Sequence, residues 1–416
     1  MGLWLYGADS RMADLVAIYN AAPEDYRTSD GLSGGDRILF ESLKEWRRLF
    51  DTVTVVTCPS GRVRMERYLG GSEGLRIVIV PTPWWLYRCF PLLFLCKTVA
   101  GAIVMARGRW PHGAVVFGSG DMFPDTVAGW AAKIFHGSRI RWANALYFFA
   151  SRPWSKDFPY RGLVPVVRGA IYWLTQRLCY RLILSRADGI VACNEIDRQI
   201  MARDGFPADR VCAIYGGVDL AQARATPDVP DAQRKYDAVF MARFHPQKGP
   251  MMAVQAWRRV VALRPGARLA MIGNGAEEEA VRRYVREHGL EGSVDLLGYM
   301  DGAAKWAVLK SSRVFLHMSV YETGGMAAAE GMAAGLPVIA FDHAGFDYCY
   351  PKGMLRVAPV GDAERVADAL LKLLGQPEEY QRLRQEAEEL VRQWDWPERS
   401  RFLHQFFLSL KQDVTP

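Results

Sequence analysis

One stretch in the C-terminal half of the chain constrains the local fold more than any other. A Gly-Gly pair at 324–325 precedes an alanine-rich run at 326–334, and a Gly-Leu-Pro sequence at 335–337 follows it. Glycine adopts backbone conformations that a side chain resists, alanine favours helix, and Gly followed by Pro ends helices. The apolar residues 338–341 then predict a buried strand. We therefore predict a glycine turn, a helix and a strand, which together form a unit of an α/β fold.

Two carboxylates flank the start of this predicted helix. Glu322 precedes it, and Glu330 is expected about two turns inside it. A helix that starts at Gly324, Gly325 and Met326 offers unpaired N–H groups and a positive dipole end, which suit a phosphate. Carboxylates repel a phosphate, but they accept charge-assisted hydrogen bonds from the hydroxyls of a sugar or ribose. The combination predicts a nucleotide-sugar site, and an ordinary αβ unit with two solvated glutamates is the alternative.

Two cations follow a predicted strand at the start of the second half. Arg243 ends the strand, and Lys248 follows after a turn at the start of the next helix. Cations at the carboxyl edge of a sheet can neutralise a diphosphate leaving group. Either residue alone would be expected in solvent, so the prediction depends on the pair.

The spacing Glu322-x7-Glu330, followed by the Gly-Leu-Pro break and the apolar strand, resembles family four of the retaining glycosyltransferases, the glycosyl transferases group 1. The resemblance covers most of the C-terminal half and, more weakly, the N-terminal half. It implies a GT-B fold, which is an α/β architecture of two Rossmann-like doubly wound domains facing a central cleft. It also implies a hexosyltransferase that moves a sugar from a nucleoside-diphosphate sugar to a hydroxyl acceptor by a front-face mechanism. In that family the residues matching Arg243 and Lys248 stabilise the diphosphate.

The resemblance implies further contacts in both halves. Tyr299 matches a position that contacts the base of the donor, and Gly34 and Gly35 match a loop that approaches the donor phosphates and the acceptor. A plain βα loop is the alternative for the two glycines. The family often has a histidine near the reacting carbon, and this chain has Asn144 in the matching loop, so we predict an acceptor contact for Asn144. Asp121, the other predicted acceptor residue, ends a predicted strand, where ligands gather in open α/β sheets.

The length of the chain predicts more than one domain, because 416 residues exceed one ordinary core. We predict an N-terminal domain over 1–215, a linker rich in Ala, Asp and Pro over 216–235, and a C-terminal domain over 236–395. The resemblance implies that the tail, 396–416, packs back on the N-terminal domain. The first residues have no basic segment or cleavage site, so we expect a first strand at 2–6 and no signal peptide.

Residues 141–186 are basic and aromatic, with eight Lys or Arg against one acid. Snorkelling cations and amphipathic rings suit a membrane interface with anionic headgroups. Single-stranded nucleic acid or a core helix with a basic outer face would also fit. Apolar side chains outnumber what base stacking needs, so we favour an anionic membrane surface and expect no nucleic acid partner. The apolar stretch 83–105 is interrupted by Arg88 and Lys97, which predicts a helix with one face in the core and not a membrane span.

The remaining predictions concern compartment, cofactors and alternative functions. Seven scattered cysteines fit a reducing cytoplasm, with peripheral attachment to the cytoplasmic face of the membrane. The chain has no HExxH or P-loop motif, so we expect neither a metal nor another cofactor, and we expect a sugar or lipid-linked acceptor. Two other classes stay open, a GT-B sugar-nucleotide epimerase or phosphorylase and a non-catalytic membrane-associated binding protein.

Overall fold

The structure of the protein, a computed structural model, describes residues 13–22, 32–155, 162–322 and 324–411. The strand predicted at 2–6 lies outside the described residues. The chain forms two compact units. One comprises Met1–Ile214 with Pro397–Pro416, and the other comprises Tyr215–Trp396. Each contains a parallel sheet with helices, so the predicted α/β class with two doubly wound halves is confirmed.

The first unit contains a parallel sheet of seven strands. These are β1 (Asp14–Tyr19), β2 (Thr52–Thr57), β3 (Arg76–Ile79), β4 (Ala114–Gly118), β5 (Ile140–Leu146), β6 (Gly189–Ala192) and β7 (Val211–Ala213). Their order is β3-β2-β1-β4-β5-β6-β7, with every pairing parallel. The central strand β4 is buried along its whole length, as expected for a strand covered on both faces. The strand order reverses between β1 and β4, which is where ligands bind in open α/β sheets.

Helices connect these strands and cover both faces of the sheet. They are α1 (Gly34–Leu49), α2 (Pro59–Leu69), α3 (Phe90–Arg107), α4 (Phe123–His136), α5 (Leu163–Arg186) and α6 (Glu195–Arg203). A capping box starts α1, because Ser33 Oγ accepts from the Asp36 N–H and Asp36 Oδ2 accepts from the Ser33 N–H. Right-handed crossovers place α1 and α2 on one face and α3 to α6 on the other. On that second face α4 packs against both α3 and α5.

The last helix, α15 (Trp396–Ser409), packs into the core of the first unit. The ring centroid of Phe407 lies 5.5 Å from that of Trp46 and 5.1 Å from that of Phe117. The indole N–H of Trp46 donates to the Ser400 carbonyl at 3.0 Å. Buried aromatic contacts of this kind contribute substantially to a core, so the tail is an integral part of this unit.

The second unit has its own parallel sheet of six strands. These are β8 (Tyr236–Met241), β9 (Leu269–Ile272), β10 (Val294–Gly298), β11 (Ser312–His317), β12 (Val338–Phe341) and β13 (Met354–Val357). Their order is β10-β9-β8-β11-β12-β13, so the direction reverses between β8 and β11. Successive residues of β8 alternate between two hydrophobic clusters, with Phe240 in one and Val239 in the other. Both faces of this sheet are therefore covered.

The helices of the second unit begin within the predicted linker. They are α7 (Leu220–Ala225), α8 (Pro250–Leu263), α9 (Glu278–Glu287), α10 (Gly302–Lys310), α11 (Met326–Ala333), α12 (Phe346–Cys349), α13 (Ala363–Leu374) and α14 (Pro377–Val391). The short helix α7 lies inside the segment 216–235, where an aperiodic connection is predicted. Leu220 and Ala223 of α7 are buried in one of the two hydrophobic clusters, so this segment belongs to the second unit.

Candidate functional site

The predicted cations lie at the reversal point of the second sheet, beyond the carboxyl end of β8. Arg243 follows β8 by two residues and is exposed. Lys248 ends a 3-10 turn, and Gly249 then leads into α8. Gly249 has a φ of 68°, and a Cβ there would lie 2.2 Å from the Met318 carbonyl oxygen. Only glycine fits this close approach, which brings the Lys248 loop against the end of β11.

Hydrogen bonds join the loop after β8 to the loop after β11. The side-chain amide of Gln247 donates to the Tyr321 carbonyl at 3.0 Å, and the Val320 N–H donates to the Gln247 carbonyl at 2.8 Å. These two bonds align segments that are more than seventy residues apart in sequence. They place Lys248 directly against Glu322.

Lys248, Glu322 and His317 form one partly buried polar cluster. The ammonium of Lys248 lies 2.6 Å from Glu322 Oε2, and His317 Nε2 lies 3.2 Å from the same oxygen. Burial raises the pKa of Glu322, but the charges and hydrogen bonds of Lys248 and His317 outweigh it and lower the pKa well below its ordinary range. Glu322 is therefore ionised at neutral pH. Sequence analysis paired Glu322 only with a sugar and missed His317.

Arg243 and Lys248 also share a neighbour, His245. Burial lowers the pKa of His245, and the positive charges of Arg243 and Lys248 lower it further. The imidazole is therefore neutral at physiological pH. Arg243 and Lys248 therefore both lie close to His245, in the loop that follows β8.

The glycine turn before α11 is anchored by a tyrosine that sequence analysis did not single out. The Tyr350 hydroxyl lies 2.7 Å from the Gly325 carbonyl oxygen and 3.1 Å from that of Gly324. The ring of Tyr350 stacks on Trp394, with centroids 5.0 Å apart. Gly325 has a φ of 61° and directly precedes Met326, the first residue of α11. The predicted turn and helix start are present, and glycine at this φ has no side chain that could cap the helix.

Glu330 lies about one turn inside α11, not two, because the helix begins at Met326. The carboxylate is not solvated, since Glu330 is buried and its Oε1 lies 2.9 Å from Lys305 Nζ. The same ammonium lies 3.2 Å from Asp301 Oδ1. Tyr299, the predicted base contact, is 46% exposed, and its hydroxyl lies 3.5 Å from Asp301 Oδ2. The structure therefore brings the predicted base and ribose residues together through Lys305, which sequence analysis missed.

A second histidine lies close to this edge. His343 follows β12, and its Nε2 lies 2.7 Å from the Ser319 carbonyl oxygen. Burial lowers the pKa of His343, and the nearby His317 lowers it further. His317 ends β11, and His343 follows the neighbouring strand β12. A polar residue at the carboxyl end of a predicted strand was therefore the feature of the sequence by which both histidines could have been identified.

In the first unit the predicted glycines start α1 beneath a tyrosine ring. Gly34 is exposed, and a Cβ on Gly35 would lie 2.9 Å from the ring of Tyr147. The Tyr147 hydroxyl is buried and has no hydrogen-bond partner among the described residues. Burial raises the pKa of Tyr147 well above its ordinary value, and the charges of Asp36 and Asp121 add to this effect. Tyr147 therefore lies near both Gly35 and Asp121, the predicted acceptor residue.

Asp121 follows β4 as predicted, but it is held by side chains of α5. Its Oδ2 accepts hydrogen bonds from the Tyr172 hydroxyl at 3.2 Å and from the Gln176 amide. Burial raises the pKa of Asp121, although these hydrogen bonds favour the charged form. Asp121 is partly exposed as a residue at the carboxyl edge of the first sheet.

The placement of Asn144 contradicts its predicted acceptor contact. Its side chain is 0% exposed, and its amide donates to the carbonyl oxygens of Gly120 and Ala145, each at 3.0 Å. A Cβ on Gly118 would lie 2.0 Å from Asn144 Oδ1. Asn144 therefore holds the loop after β4 through its hydrogen bond to Gly120. The side chain is buried because its position in β5 points it into the core.

Two family models match the chain. Residues 224–390 match the model of glycosyl transferases group 1, and residues 33–217 match the model of the glycosyl transferase 4-like domain. Among curated relatives, the phosphatidyl-myo-inositol mannosyltransferase of Mycobacterium leprae is 30% identical over 212 residues, which cover 50% of this chain and 55% of that protein. The glycogen synthase of Mycobacterium tuberculosis is 24% identical over 236 residues, covering 55% of this chain and 56% of that protein. The chain spans about half the length of the curated relatives it matches.

Solved structures match over nearly the whole chain. The crystal structure of HepE from Anabaena, in complex with UDP and glucose, has a TM-score of 0.67 and 14% identity, and it covers 94% of this chain and 97% of that chain. The sucrose-phosphate synthase of Thermosynechococcus elongatus has a TM-score of 0.70 and 19% identity, with coverage of 96% and 99%. At these identities the likeness shows the fold. The chain therefore belongs to the glycosyl transferases group 1 family, with a 4-like N-terminal domain, and its fold is GT-B.

Proposed function

We propose that this chain is a retaining glycosyltransferase that transfers a sugar from a nucleoside-diphosphate sugar to a hydroxyl acceptor without a metal. The observation that carries the proposal is the ion pair of Lys248 and Glu322 before the start of α11, with Arg243 in the same loop as Lys248, at the reversal point of the second sheet. Two cations and a helix N-terminus supply the positive charge that a departing diphosphate needs. The ionised Glu322 suits the hydroxyls of the sugar.

The cluster has a defined task in this reaction. The bond between the anomeric carbon and the diphosphate oxygen breaks, the acceptor oxygen bonds to the same face of that carbon, and the acceptor proton passes to the departing diphosphate. Lys248 and Arg243 stabilise the negative charge that develops on the diphosphate. As Lys248 turns toward the phosphate, Glu322 exchanges an ammonium partner for sugar hydroxyls. The protein thus contributes orientation and charge stabilisation.

The nucleoside is proposed to bind along the group formed by Tyr299 and Glu330. The exposed ring of Tyr299 can stack against a base, and Glu330 accepts hydrogen bonds from the ribose. Lys305 and Asp301 orient the Glu330 carboxylate between these contacts. Neighbouring structures bind UDP and UDP-glucose, which supports a nucleotide-sugar donor here.

The acceptor is proposed to be a lipid-linked or membrane-proximal hydroxyl, bound at Asp121 beside the Gly34-Gly35 turn on the cytoplasmic side of a membrane. The carboxylate of Asp121 can accept a hydrogen bond from the attacking hydroxyl. The name of the M. leprae relative, a phosphatidyl-myo-inositol mannosyltransferase, supports an acceptor with a lipid anchor.

A thermal-shift panel tests the donor site. Wild type, Glu330→Gln and the exposed control Glu389→Gln are melted with UDP, GDP, ADP and their common sugars, with and without EDTA. One nucleotide is expected to raise the Tm of wild type and control, because ligand at about 100 times its Kd adds about 2.7 kcal/mol of stability. The rise should be insensitive to EDTA and lost in Glu330→Gln. If no nucleotide shifts the Tm, the transferase proposal fails and a non-catalytic binding protein takes its place.

The stereochemical proposal has its own test. The anomeric configuration of the product, read by NMR from a simple alkyl glycoside acceptor, should equal that of the donor. An inverted product would overturn the front-face mechanism while leaving the donor site intact. Sugar release or epimerisation with no acceptor present would instead identify a GT-B phosphorylase or epimerase.

A further inference from the structure

Helix α3 presents its more apolar face to solvent. The side chains of its inner face are buried and follow a spacing of four: Leu93, Lys97, Gly101 and Met105. The side chains of its outer face are exposed and follow a helical spacing of three and four: Leu92, Leu95, Val99 and Ile103. A helix at the surface of a soluble domain normally has the opposite arrangement, with its apolar stripe inward. The outer stripe of α3 therefore needs a partner.

Helix α5 repeats this arrangement on the same face of the first unit. Its exposed side chains also follow a helical spacing: Leu163, Val164, Val167, Ile171, Leu174 and Leu178. Its inner side carries the buried residues Gln176, Cys179 and Tyr180. Because α4 packs against both α3 and α5, the two outward stripes belong to one layer of helices.

Further large side chains extend this apolar layer. Trp84 and Trp85 lie in the 3-10 helix Trp84–Arg88, immediately before α3, and Trp84 is 77% exposed. At the end of α4, Phe135 is 70% exposed. Most of the large hydrophobic side chains that are exposed in the described part of the chain lie on this layer. Scattered exposed apolar residues are ordinary, but a contiguous group of this size indicates an interaction surface.

The charges on this layer have one sign. Neither the segment 84–111 nor the segment 162–187 contains an Asp or Glu, and the acid of α4, Asp125, is buried. Six arginines in the two segments are exposed: Arg88, Arg107, Arg109, Arg168, Arg181 and Arg186. A second copy of the chain would bring these like charges together, which disfavours a symmetric dimer. Tryptophans with arginines and no acids suit an anionic lipid surface.

The fold decides whether α3 lies on a bilayer or crosses it. Among the described residues, Phe90–Arg107 is the helix long and apolar enough to cross a membrane, and only 22% of that window is buried. However, α3 connects β3 and β4 of one sheet and packs on α4. The ammonium of Lys97 on its inner face donates to the Ala22 carbonyl at 3.1 Å, inside the unit. The helix is therefore a layer of the domain, which fits a position in the membrane interface.

We propose that the outer faces of α3 and α5, with Trp84–Arg88, form a docking surface for the headgroup and acyl boundary of an anionic bilayer. Sequence analysis placed the membrane contact in 141–186 and expected 83–105 to serve the core, whereas the structure points to both segments together. Lys97 of α3 contacts Ala22, and Tyr172 of α5 contacts Asp121. Both partners follow strands of the first sheet, so each helix passes the carboxyl edge of that sheet. Docking therefore brings this edge close to the lipid. The orientation of the edge toward an acceptor rests on the proposed lipid-linked acceptor, whereas the docking of the surface on a bilayer does not depend on that proposal.

The test is cosedimentation of the full chain with phosphatidylcholine vesicles that contain or lack phosphatidylglycerol, at low and high salt. The stripe variants are Leu95→Ser with Val99→Ser and Val167→Ser with Ile171→Ser. The charge variant is Arg168→Glu with Arg181→Glu, and the control is Leu263→Ser, exposed on the second unit. Wild type and control should bind anionic vesicles, and the charge variant should bind at least about tenfold more weakly because each arginine contributes about 1 kcal/mol. The stripe variants should also bind more weakly, at every salt concentration.

Two further readouts separate docking from folding and from the donor site. Every variant should keep the wild-type Tm and the wild-type nucleotide shift, because all the substituted side chains are exposed and none belongs to the proposed donor site. Vesicle binding without any nucleotide shift would support docking while rejecting the proposed transferase. Failure of wild type to bind anionic vesicles, or equal binding by the control and the stripe variants, would overturn the docking surface. A stable dimer that the stripe substitutions dissociate would likewise assign this face to a second copy.

Discussion

The ammonium of Lys248 lies 2.6 Å from Glu322 Oε2, across two loops that follow neighbouring strands, β8 and β11. The pair is mostly shielded from solvent, because the side chain of Glu322 is 9% exposed. His317 approaches the same carboxylate oxygen from the end of β11. Under the proposed mechanism, a donor must therefore compete with Glu322 for Lys248. Without ligand, the carboxylate of Glu322 balances the charge of the partly buried Lys248. When the donor is bound, Lys248 acts on the diphosphate instead.

Replacing Lys248 tests its role in stabilising the leaving group. Lys248→Met should lower kcat by about 100- to 1000-fold, the usual effect of removing one preorganised group that stabilises developing charge. Donor KM should change much less, because the charge on the diphosphate increases in the transition state. Steady-state kinetics with the nucleotide sugar named by the thermal-shift panel measure both. Lys352→Met removes an exposed lysine that pairs with Glu389 and should leave kcat unchanged. A Lys248→Met enzyme with wild-type kcat would contradict the assigned role.

The buried pair of Lys305 and Glu330 should be strongly coupled. Removing one partner of a buried ion pair leaves an uncompensated charge, which costs about 3–5 kcal/mol. We therefore expect Lys305→Met to lower the free energy of unfolding by this order, and the double variant with Glu330→Gln to recover part of the loss. Chemical denaturation of the two single variants and the double variant measures the coupling. The exposed pair of Arg382 and Glu386 is the matched control and should show coupling below about 1 kcal/mol. Additive effects at Lys305 and Glu330 would show that their contact contributes nothing.

Tyr350→Phe isolates the anchoring of the glycine turn. The substitution keeps the ring stacked on Trp394 and removes the hydroxyl that lies against the carbonyls of Gly324 and Gly325. Loss of a partner for buried carbonyls costs about 1–3 kcal/mol. We expect a lower Tm and a severalfold weaker nucleotide affinity, measured by calorimetry, because α11 starts at this turn. Tyr348→Phe, at an exposed neighbouring position, should change neither quantity. Unchanged affinity in Tyr350→Phe would separate the turn from the donor site.

Asp125 should make the first unit less stable as the pH rises. Its Oδ1 accepts the N–H groups of Asn20 at 2.6 Å and Ala21 at 2.9 Å, yet burial raises its pKa to about 7. Because the pKa is raised above the unfolded value of about 3.9, the stabilisation is fully present below that value and is lost as the pH passes through 7. Asp125→Asn retains an acceptor and does not ionise.

Thermal melts between pH 5 and 8 measure this effect. The Tm of wild type should fall more steeply over that range than the Tm of Asp125→Asn, by roughly 2–4 °C for each kcal/mol of linkage. Asp209→Asn, at an exposed position of the same unit, should keep the wild-type slope. Equal slopes in wild type and Asp125→Asn would mean that the carboxyl stays ionised when folded.

The tail should be indispensable to the first unit. Phe407→Ala removes a fully buried ring that contacts Trp46 and Phe117, and truncation of a buried Phe costs about 3–5 kcal/mol. We expect a large drop in Tm, and the red shift of tryptophan emission on unfolding should occur at a lower denaturant concentration than in wild type. The control Val63→Ala, at a half-exposed position, should change both quantities little. A wild-type Tm for Phe407→Ala would show that α15 is not part of the core.

Much of the chain followed from local patterns. The Gly-Gly pair, the alanine run and the Gly-Leu-Pro break predict the turn, α11 and β12 where the structure has them. Arg243 and Lys248 follow β8 as predicted, because residues after parallel strands collect at one edge whatever the order of the strands. The spacing of Glu322 and Glu330 was sufficient for the family, which the comparisons confirm.

The tertiary structure alone decided which side chains meet. Lys305 and Glu330 form an ion pair although they are 25 residues apart in the chain. Asn144 points inward because of its register in β5. Neither contact could be predicted from a local sequence pattern. No strand was predicted at Asp14–Tyr19, where the structure has the six-residue strand β1. Helix α3 is apolar on most sides, so periodicity could not tell its core face from its solvent face. The physical reason is common to all four: local sequence sets backbone preference, whereas partners and exposure depend on how the sheet orders segments that are distant in the chain.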